Sequence, residues 1–96
     1  MLFTEAQQIL ITHKDELVKR GALALSLFGS VARSEATDQS DIDVLVDFDA
    51  KRGLFIFADL KLYLENILGC KVDLVSRRAL HPALKDRILR DTKEIF

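Results

Sequence analysis

The fold of this chain is decided by residues 29–46, which read GSVARSEATDQSDIDVLV. Asp41 and Asp43 are spaced i, i+2 and lead directly into an apolar run. Side chains alternate between the two faces of a β-strand, so this spacing places both carboxylates on one face, while Ile42 and Val44 point into the opposite layer. The segment therefore predicts a strand that is buried on one side and presents two oxygen ligands on the other.

A glycine-serine turn precedes these carboxylates. Gly29 and Ser30 follow the apolar run ALALSLF at residues 22–28, which predicts a strand, and a short helix-compatible stretch from Val31 to Glu35 comes next. Glycine permits the φ values and the close backbone approach that a bound phosphate requires, and a helix N-terminus favours negative charge. Ser30 can donate its hydroxyl to a phosphate oxygen or cap the following helix. The turn is therefore a candidate phosphate-binding site.

A third carboxylate lies in the segment KVDLV, residues 71–75, whose β-branched content predicts a strand. Asp73 occupies the middle of otherwise apolar positions, where packing gives no reason for an acid. Mg²⁺ prefers a few carboxylates together with phosphate oxygens and water, so an open set of acids suits a metal-nucleotide complex. Arg33, four residues beyond the glycine, can reach a phosphate or pair with Glu35, and both interpretations stay open.

Each motif alone has an ordinary explanation, because a Gly-Ser pair is usually a turn and an Asp-x-Asp pair is usually a solvated strand edge. Together, at this spacing and at average residue usage, they arise by chance in on the order of one in a thousand chains of this length. The combination therefore favours a nucleotide site.

On these residues, the segment from Gly29 to Val46 resembles the signature of the minimal nucleotidyltransferases of the DNA polymerase β superfamily, and the likeness extends to the end of the chain. The resemblance implies an α/β (α+β) fold, with a small mixed β-sheet and helices packed mainly on one face. It implies that the Gly-Ser pair holds the triphosphate of ATP and that three acids bind two Mg²⁺ ions. Those roles fall on Gly29, Ser30, Asp41, Asp43 and Asp73. The chain departs from the family pattern at Ser34, where many relatives carry glycine.

The resemblance also implies a partner. Many such proteins are similar to the antitoxin of a two-gene pair whose toxin is a HEPN-type ribonuclease, and transfer of AMP to a toxin tyrosine inactivates it. Two alternatives remain: a non-catalytic antitoxin that neutralises its partner by direct contact, and a nucleotidyltransferase for a small-molecule acceptor. The second is disfavoured, because a chain of 96 residues offers no further domain for such an acceptor.

Composition sets further limits. A length of 96 residues predicts a single domain over residues 1–96, and the resemblance implies that it is a nucleotidyltransferase domain. A formal net charge of −1 gives no electrostatic reason to expect nucleic acid as a direct substrate. The single cysteine excludes an internal disulfide, and the sequence offers neither a signal segment nor a long apolar span. We therefore expect a cytoplasmic protein that does not enter a membrane.

Hydrophobic periodicity predicts the remaining elements. We expect a first helix that is capped near Thr4 and runs to about Lys19. We expect further strands at about residues 42–47 and 71–76, a long helix at 54–68, and two short C-terminal helices around 79–84 and 82–92.

The long helix is apolar around most of its first two turns. Phe55 and Phe57 lie about 200° apart around a helix, so both cannot face one small core. Either these rings reach a loop or the sheet edge, or the outward ring contacts a second subunit or the toxin, in a homodimer or a hetero-oligomer.

Overall fold

The computed structural model describes residues 1–37 and 39–96. The helices are α1 (Phe3–Thr12), α2 (Lys14–Lys19), α3 (Gly29–Ala32), α4 (Gly53–Leu68) and α5 (Pro82–Arg90). The strands are β1 (Ala22–Phe28), β2 (Ile42–Phe48), β3 (Val72–Ser76) and β4 (Lys93–Glu94), and 3₁₀ turns occupy Ala50–Arg52 and Arg77–Ala79. Within the described ranges, no helix combines the length and the apolar character that crossing a bilayer requires.

The strands form one mixed sheet in the order β3-β2-β1-β4. Strand β1 is antiparallel to both β2 and β4, whereas β2 and β3 are parallel. Parallel neighbours need a long crossover, and α4 provides it between β2 and β3. The predicted small mixed sheet is confirmed.

The core lies on one face of this sheet. In β2 the alternate side chains of Ile42, Val44 and Val46 are buried, as the period of two requires. They share a cluster with side chains of α1, α2 and α4, namely Ala6, Leu10, Leu17, Leu60, Leu64 and Leu68. The helices therefore pack mainly on one face, as predicted, and the other face of β2 is left for its acids.

The first helical segment differs from its prediction at its start and in its middle, whereas its end at Lys19 is confirmed. It begins one residue before Thr4, and the Leu2 N–H donates a hydrogen bond to Glu5 Oε1 at 3.1 Å. It is interrupted at His13, where Nδ1 lies 2.8 Å from the Ile9 carbonyl oxygen. The neighbouring Thr12 hydroxyl also donates to a carbonyl four residues earlier. Such side-chain bonds compete with the helical ladder, and apolar periodicity, which continues across the break, does not register them.

The C-terminal segment also differs. Instead of two overlapping helices, a 3₁₀ turn is followed by the single helix α5, with His81 as its N-cap and Pro82 at its first position. His81 Nδ1 accepts from the Ala83 N–H at 3.1 Å, and proline suits the first turn because its missing N–H would have no helical partner. Strand β4 was not predicted; it pairs with Ser26 and Leu27 of β1.

Candidate active site

The glycine-serine turn lies directly against the carboxylate strand. Strand β1 ends at Phe28, whose register partner in β2 is Asp43, and the chain turns at Gly29 into the four-residue helix α3. Gly29 has φ +67°, and a Cβ atom added there would overlap Asp43 Oδ2. Only glycine therefore lets the backbone lie this close to the carboxylate, in the left-handed region that other residues rarely adopt.

The three predicted acids share one side of the sheet. Asp43 and Asp73 are register partners in the parallel pair β2-β3, so their side chains project from the same face of adjacent strands. Asp41 lies just before β2, one alternation from Asp43. Asp43 is half-buried, whereas Asp41 and Asp73 are exposed. The structure therefore brings the predicted acids to the end of the sheet where Gly29 turns.

Burial and like charge both act on Asp43. Burial is the larger influence that raises the pKa of its carboxyl, and the negative charges of Asp73 and then Asp41 raise this pKa further. The positive charge of Arg33 acts in the opposite direction. Burial and the neighbouring carboxylates therefore disfavour the ionised form of Asp43, and a nearby cation favours it.

The donor set suits Mg²⁺. It consists of carboxylate oxygens, and Mg²⁺ is usually held by one or two carboxylates with substrate phosphates and water rather than by an all-protein cage. Within residues 1–37 and 39–96, however, no group of three or more His, Cys, Asp or Glu side chains is placed to hold a metal ion, so the structure does not bring the three acids together as a complete metal site. An open pair such as Asp43 and Asp73 leaves positions for phosphate oxygens.

Arg33 is held from two sides. Its Nε lies 3.1 Å from Glu35 Oε2, and its Nη1 lies 2.9 Å from Asp91 Oδ2, just beyond α5. The hydrogen bond to Glu35 is the main influence that raises the pKa of the guanidinium above its usual range. The pairing with Glu35 agrees with one of the two sequence interpretations. Sequence reasoning missed Asp91, because nothing local connects residues so far apart along the chain.

The loop after the turn has its own constraint. Ser34 has φ +57°, again in the left-handed region, which explains why a glycine is favourable at this position. The Glu35 N–H donates to the Ser30 carbonyl at 2.8 Å and closes the loop. The N-cap of α3 is Phe28, so the alternative role of Ser30 as a helix cap is wrong. Its hydroxyl makes no hydrogen bond among the described residues and can face a ligand.

A separate apolar face lies at the start of α4. Leu54 is 86% exposed and Phe55 is 92% exposed, whereas Phe57 packs edge to face against Phe48 with ring centroids 5.2 Å apart. The prediction that the two rings cannot share one core is therefore confirmed, and Phe55 is the outward one. What covers Phe55 stays a prediction.

Known proteins match most of this chain. A family model described as a nucleotidyltransferase domain matches residues 10–95. The protein adenylyltransferase MntA of Thermococcus cleftensis is 42% identical over 88 residues, which cover 91% of this chain and 89% of that protein. A solved structure assigned as a minimal nucleotidyltransferase superposes with a TM-score of 0.84 at 40% identity and covers 97% of this chain and 95% of that one.

A more distant structure shares the fold. It is the complex of a tri-AMPylated HEPN toxin of Shewanella oneidensis with an MNT antitoxin, of which one chain matches. The TM-score is 0.70 at 20% identity, and the match covers 99% of this chain and 72% of that one.

Proposed function

Since this chain belongs to the nucleotidyltransferase domain family, we propose that it transfers AMP from ATP to a hydroxyl group of a partner protein, as the name of its MntA relative describes. The predicted fold and the predicted enzyme class, a nucleotidyltransferase, are confirmed by the family match. One contact supports the proposed chemistry most directly: the Gly29 backbone lies against Asp43, whose register partner is Asp73. The turn that we propose to bind phosphate therefore lies beside two of the acids that we propose to bind metal.

Three residues bind the triphosphate in this proposal. The Gly29 backbone allows close approach, and the Ser30 hydroxyl donates to a phosphate oxygen. Arg33 has five N–H donors, and its bonds to Glu35 and Asp91 use only Nε and Nη1, so the remaining N–H groups can donate to a phosphate oxygen. Holding the nucleotide in place lowers the entropic part of the barrier to its reaction.

Asp41, Asp43 and Asp73 would hold two Mg²⁺ ions, which when bound neutralise charge on the attacking and leaving oxygens. The acceptor hydroxyl attacks the α-phosphorus of ATP in line. A new P–O bond forms, the bond to the β-phosphate oxygen breaks, and pyrophosphate leaves. Asp73 is exposed beside Asp43 and is the group we assign to accept the hydroxyl proton.

We propose a HEPN-type toxin as the partner and a tyrosine as its acceptor. This assignment draws on the HEPN toxin complex that shares the fold and on the uncovered apolar start of α4. Aromatic side chains are enriched at the cores of protein interfaces. Leu54 and Phe55 are accordingly the contact that we assign to the toxin.

A labelling experiment tests the reaction. The protein, the HEPN-type toxin, Mg²⁺ and α-labelled ATP should yield labelled toxin, and Asp43→Asn should abolish labelling because it removes a ligand charge while keeping the side chain's shape. Asp15→Asn, an exposed substitution on α2, is the matched control and should label at the parent rate. Labelling by Asp43→Asn at the parent rate would refute the catalytic assignment.

The same variants separate catalysis from simple binding. A non-catalytic antitoxin would suppress toxin ribonuclease activity equally well with Asp43 or Asn at this position. If AMP transfer is the mechanism, Asp43→Asn should fail to suppress the ribonuclease even though it still binds the toxin.

A further inference from the structure

A cavity opens on the face of the sheet that carries the acids. Its volume is about 530 Å³, and three of its lining side chains are cationic and one is acidic. The lining residues are Asp47, Arg77, Arg78, Leu80, Pro82 and Lys85. Its walls therefore carry an excess of positive charge, although the whole chain has a formal net charge of −1.

Strand register fixes where this cavity lies relative to the proposed active site. Asp47 follows Asp43 at an even spacing in β2, so both side chains project from the same face. Asp43 pairs with Phe28 at the glycine turn, whereas Asp47 pairs with Ala24 further along β1. At about 3.3 Å per residue the two acids are about 13 Å apart along the strand. The cavity is therefore distinct from the phosphate-binding turn.

Few of the positive charges around the cavity are paired with a carboxylate of the protein. Arg78 Nε lies 3.7 Å from Asp47 Oδ1, which is too long for a hydrogen bond. Among the described residues, Arg77 and Lys85 make no ion pair within 4.0 Å. Their guanidinium and ammonium groups can therefore turn toward an anion in the cavity.

The helix beside the cavity cannot do this with its backbone. Pro82 has no N–H, and the Ala83 N–H already donates to His81 Nδ1. The next N–H, that of Leu84, donates to the His81 carbonyl at 2.9 Å. Binding of an anion in this cavity therefore depends on the side chains. Conservative substitutions of those side chains can test it.

We propose that this cavity is a second phosphate-binding subsite. It binds a phosphate group that the acceptor carries, while ATP occupies the turn at Gly29. Two arginines and a lysine suit a phosphate group, which carries nearly two negative charges and several strong acceptor oxygens. This assignment deepens the proposed function and rests on it, because it specifies that the acceptor brings a phosphate group as well as a hydroxyl. The phosphate belongs either to a free nucleotide or to an ester on the partner protein.

Binding can be tested without any transfer. The full chain, ¹⁵N-labelled and free of divalent cations, is titrated with inorganic phosphate and separately with AMP. The NMR chemical shifts of the backbone amides of Asp47 and of residues 77–85 are expected to change and to saturate as ligand is added. The double variant Arg77→Gln/Lys85→Gln should weaken this binding about tenfold, since charge-assisted hydrogen bonds are lost.

A charge-matched control makes the test specific. The double variant Lys61→Gln/Arg87→Gln removes two positive charges that do not line the cavity and should leave the affinity unchanged. Equal weakening by both double variants would reduce the effect to overall charge and overturn the proposal. Shifts confined to residues 29–33 would overturn it as well.

The two probes distinguish the source of the phosphate. Tighter binding of AMP than of inorganic phosphate supports a nucleotide as the occupant, whereas equal binding supports an ester recognised through its phosphate alone. Because neither titration contains the partner protein or a transfer step, a negative result here is independent of the labelling experiment with Asp43→Asn.

Discussion

Gly29→Ala should destabilise the protein by two additive effects. Gly29 has φ +67°, and forcing a residue with a side chain into this region costs about 1–2 kcal/mol. The new Cβ also overlaps Asp43 Oδ2, so the carboxylate must move. Gly69→Ala is the matched control: Gly69 has φ +71°, and an added Cβ there meets no atom within 4 Å.

The magnitudes follow from these two geometries. Gly69→Ala should lower the free energy of unfolding by about 1–2 kcal/mol, which for a domain of this size lowers Tm by about 4–16 °C. Gly29→Ala should cost about 1–3 kcal/mol more, which is typical of forced overpacking. A domain with a stability of about 5–15 kcal/mol remains folded through most of that range.

Denaturant unfolding of the single and double variants measures the coupling. In an Asp43→Ala background the obstructing carboxylate is gone, so the extra cost of Gly29→Ala should disappear and only the backbone cost should remain. The reasoning is refuted if Gly29→Ala costs no more than Gly69→Ala, or if its extra cost persists unchanged after Asp43→Ala.

Three further outcomes are expected. Folding raises the pKa of the Asp43 carboxyl, so the folded protein binds a proton there more tightly than the unfolded chain does. The free energy of unfolding should therefore fall as pH rises from the unfolded pKa of about 3.9 through the higher folded pKa. Asp43→Asn should therefore raise the Tm of the ligand-free protein at pH 7, with a gain that vanishes below about pH 4; a constant gain would contradict this. Ser34→Gly relieves a positive φ and should add about 0.5–1 kcal/mol in chemical denaturation, so a loss would argue against strain there. Phe55→Ser should weaken toxin binding in a pull-down without lowering Tm, and an unchanged pull-down would refute the assigned contact. Phe57→Ser loses the contact with Phe48 and should lower the free energy of unfolding by about 2 kcal/mol.

Sequence reasoning predicted the features that have a local cause. Strand β1 ends at Phe28 because an apolar run stops at a glycine, and α4 ends at Leu68 for the same reason. The acids in β2 follow from a period of two. The separation of Phe55 from Phe57 follows from the helical period, which places them on different sides.

Features with a distant cause could not be predicted. Strand β4 consists of the exposed residues Lys93 and Glu94, which have no apolar pattern and are ordered by backbone pairing with β1. The ion pair between Arg33 and Asp91 likewise joins the turn to the end of α5. The register of Asp43 with Asp73 was implied by the shared chemistry of the acids, but only the pairing of β2 with β3 fixes it.

That register has a kinetic consequence. Strands β2 and β3 are separated in the chain by the whole of α4, and pairing between distant segments is slow because loop closure precedes any stabilising contact. Like charges placed opposite each other in a sheet oppose pairing further. We therefore expect docking of β3 to be the late step of refolding, faster in acid or with divalent cations than in neutral buffer without them. The same charges that we propose to act on metal and nucleotide thus slow the pairing of β2 with β3.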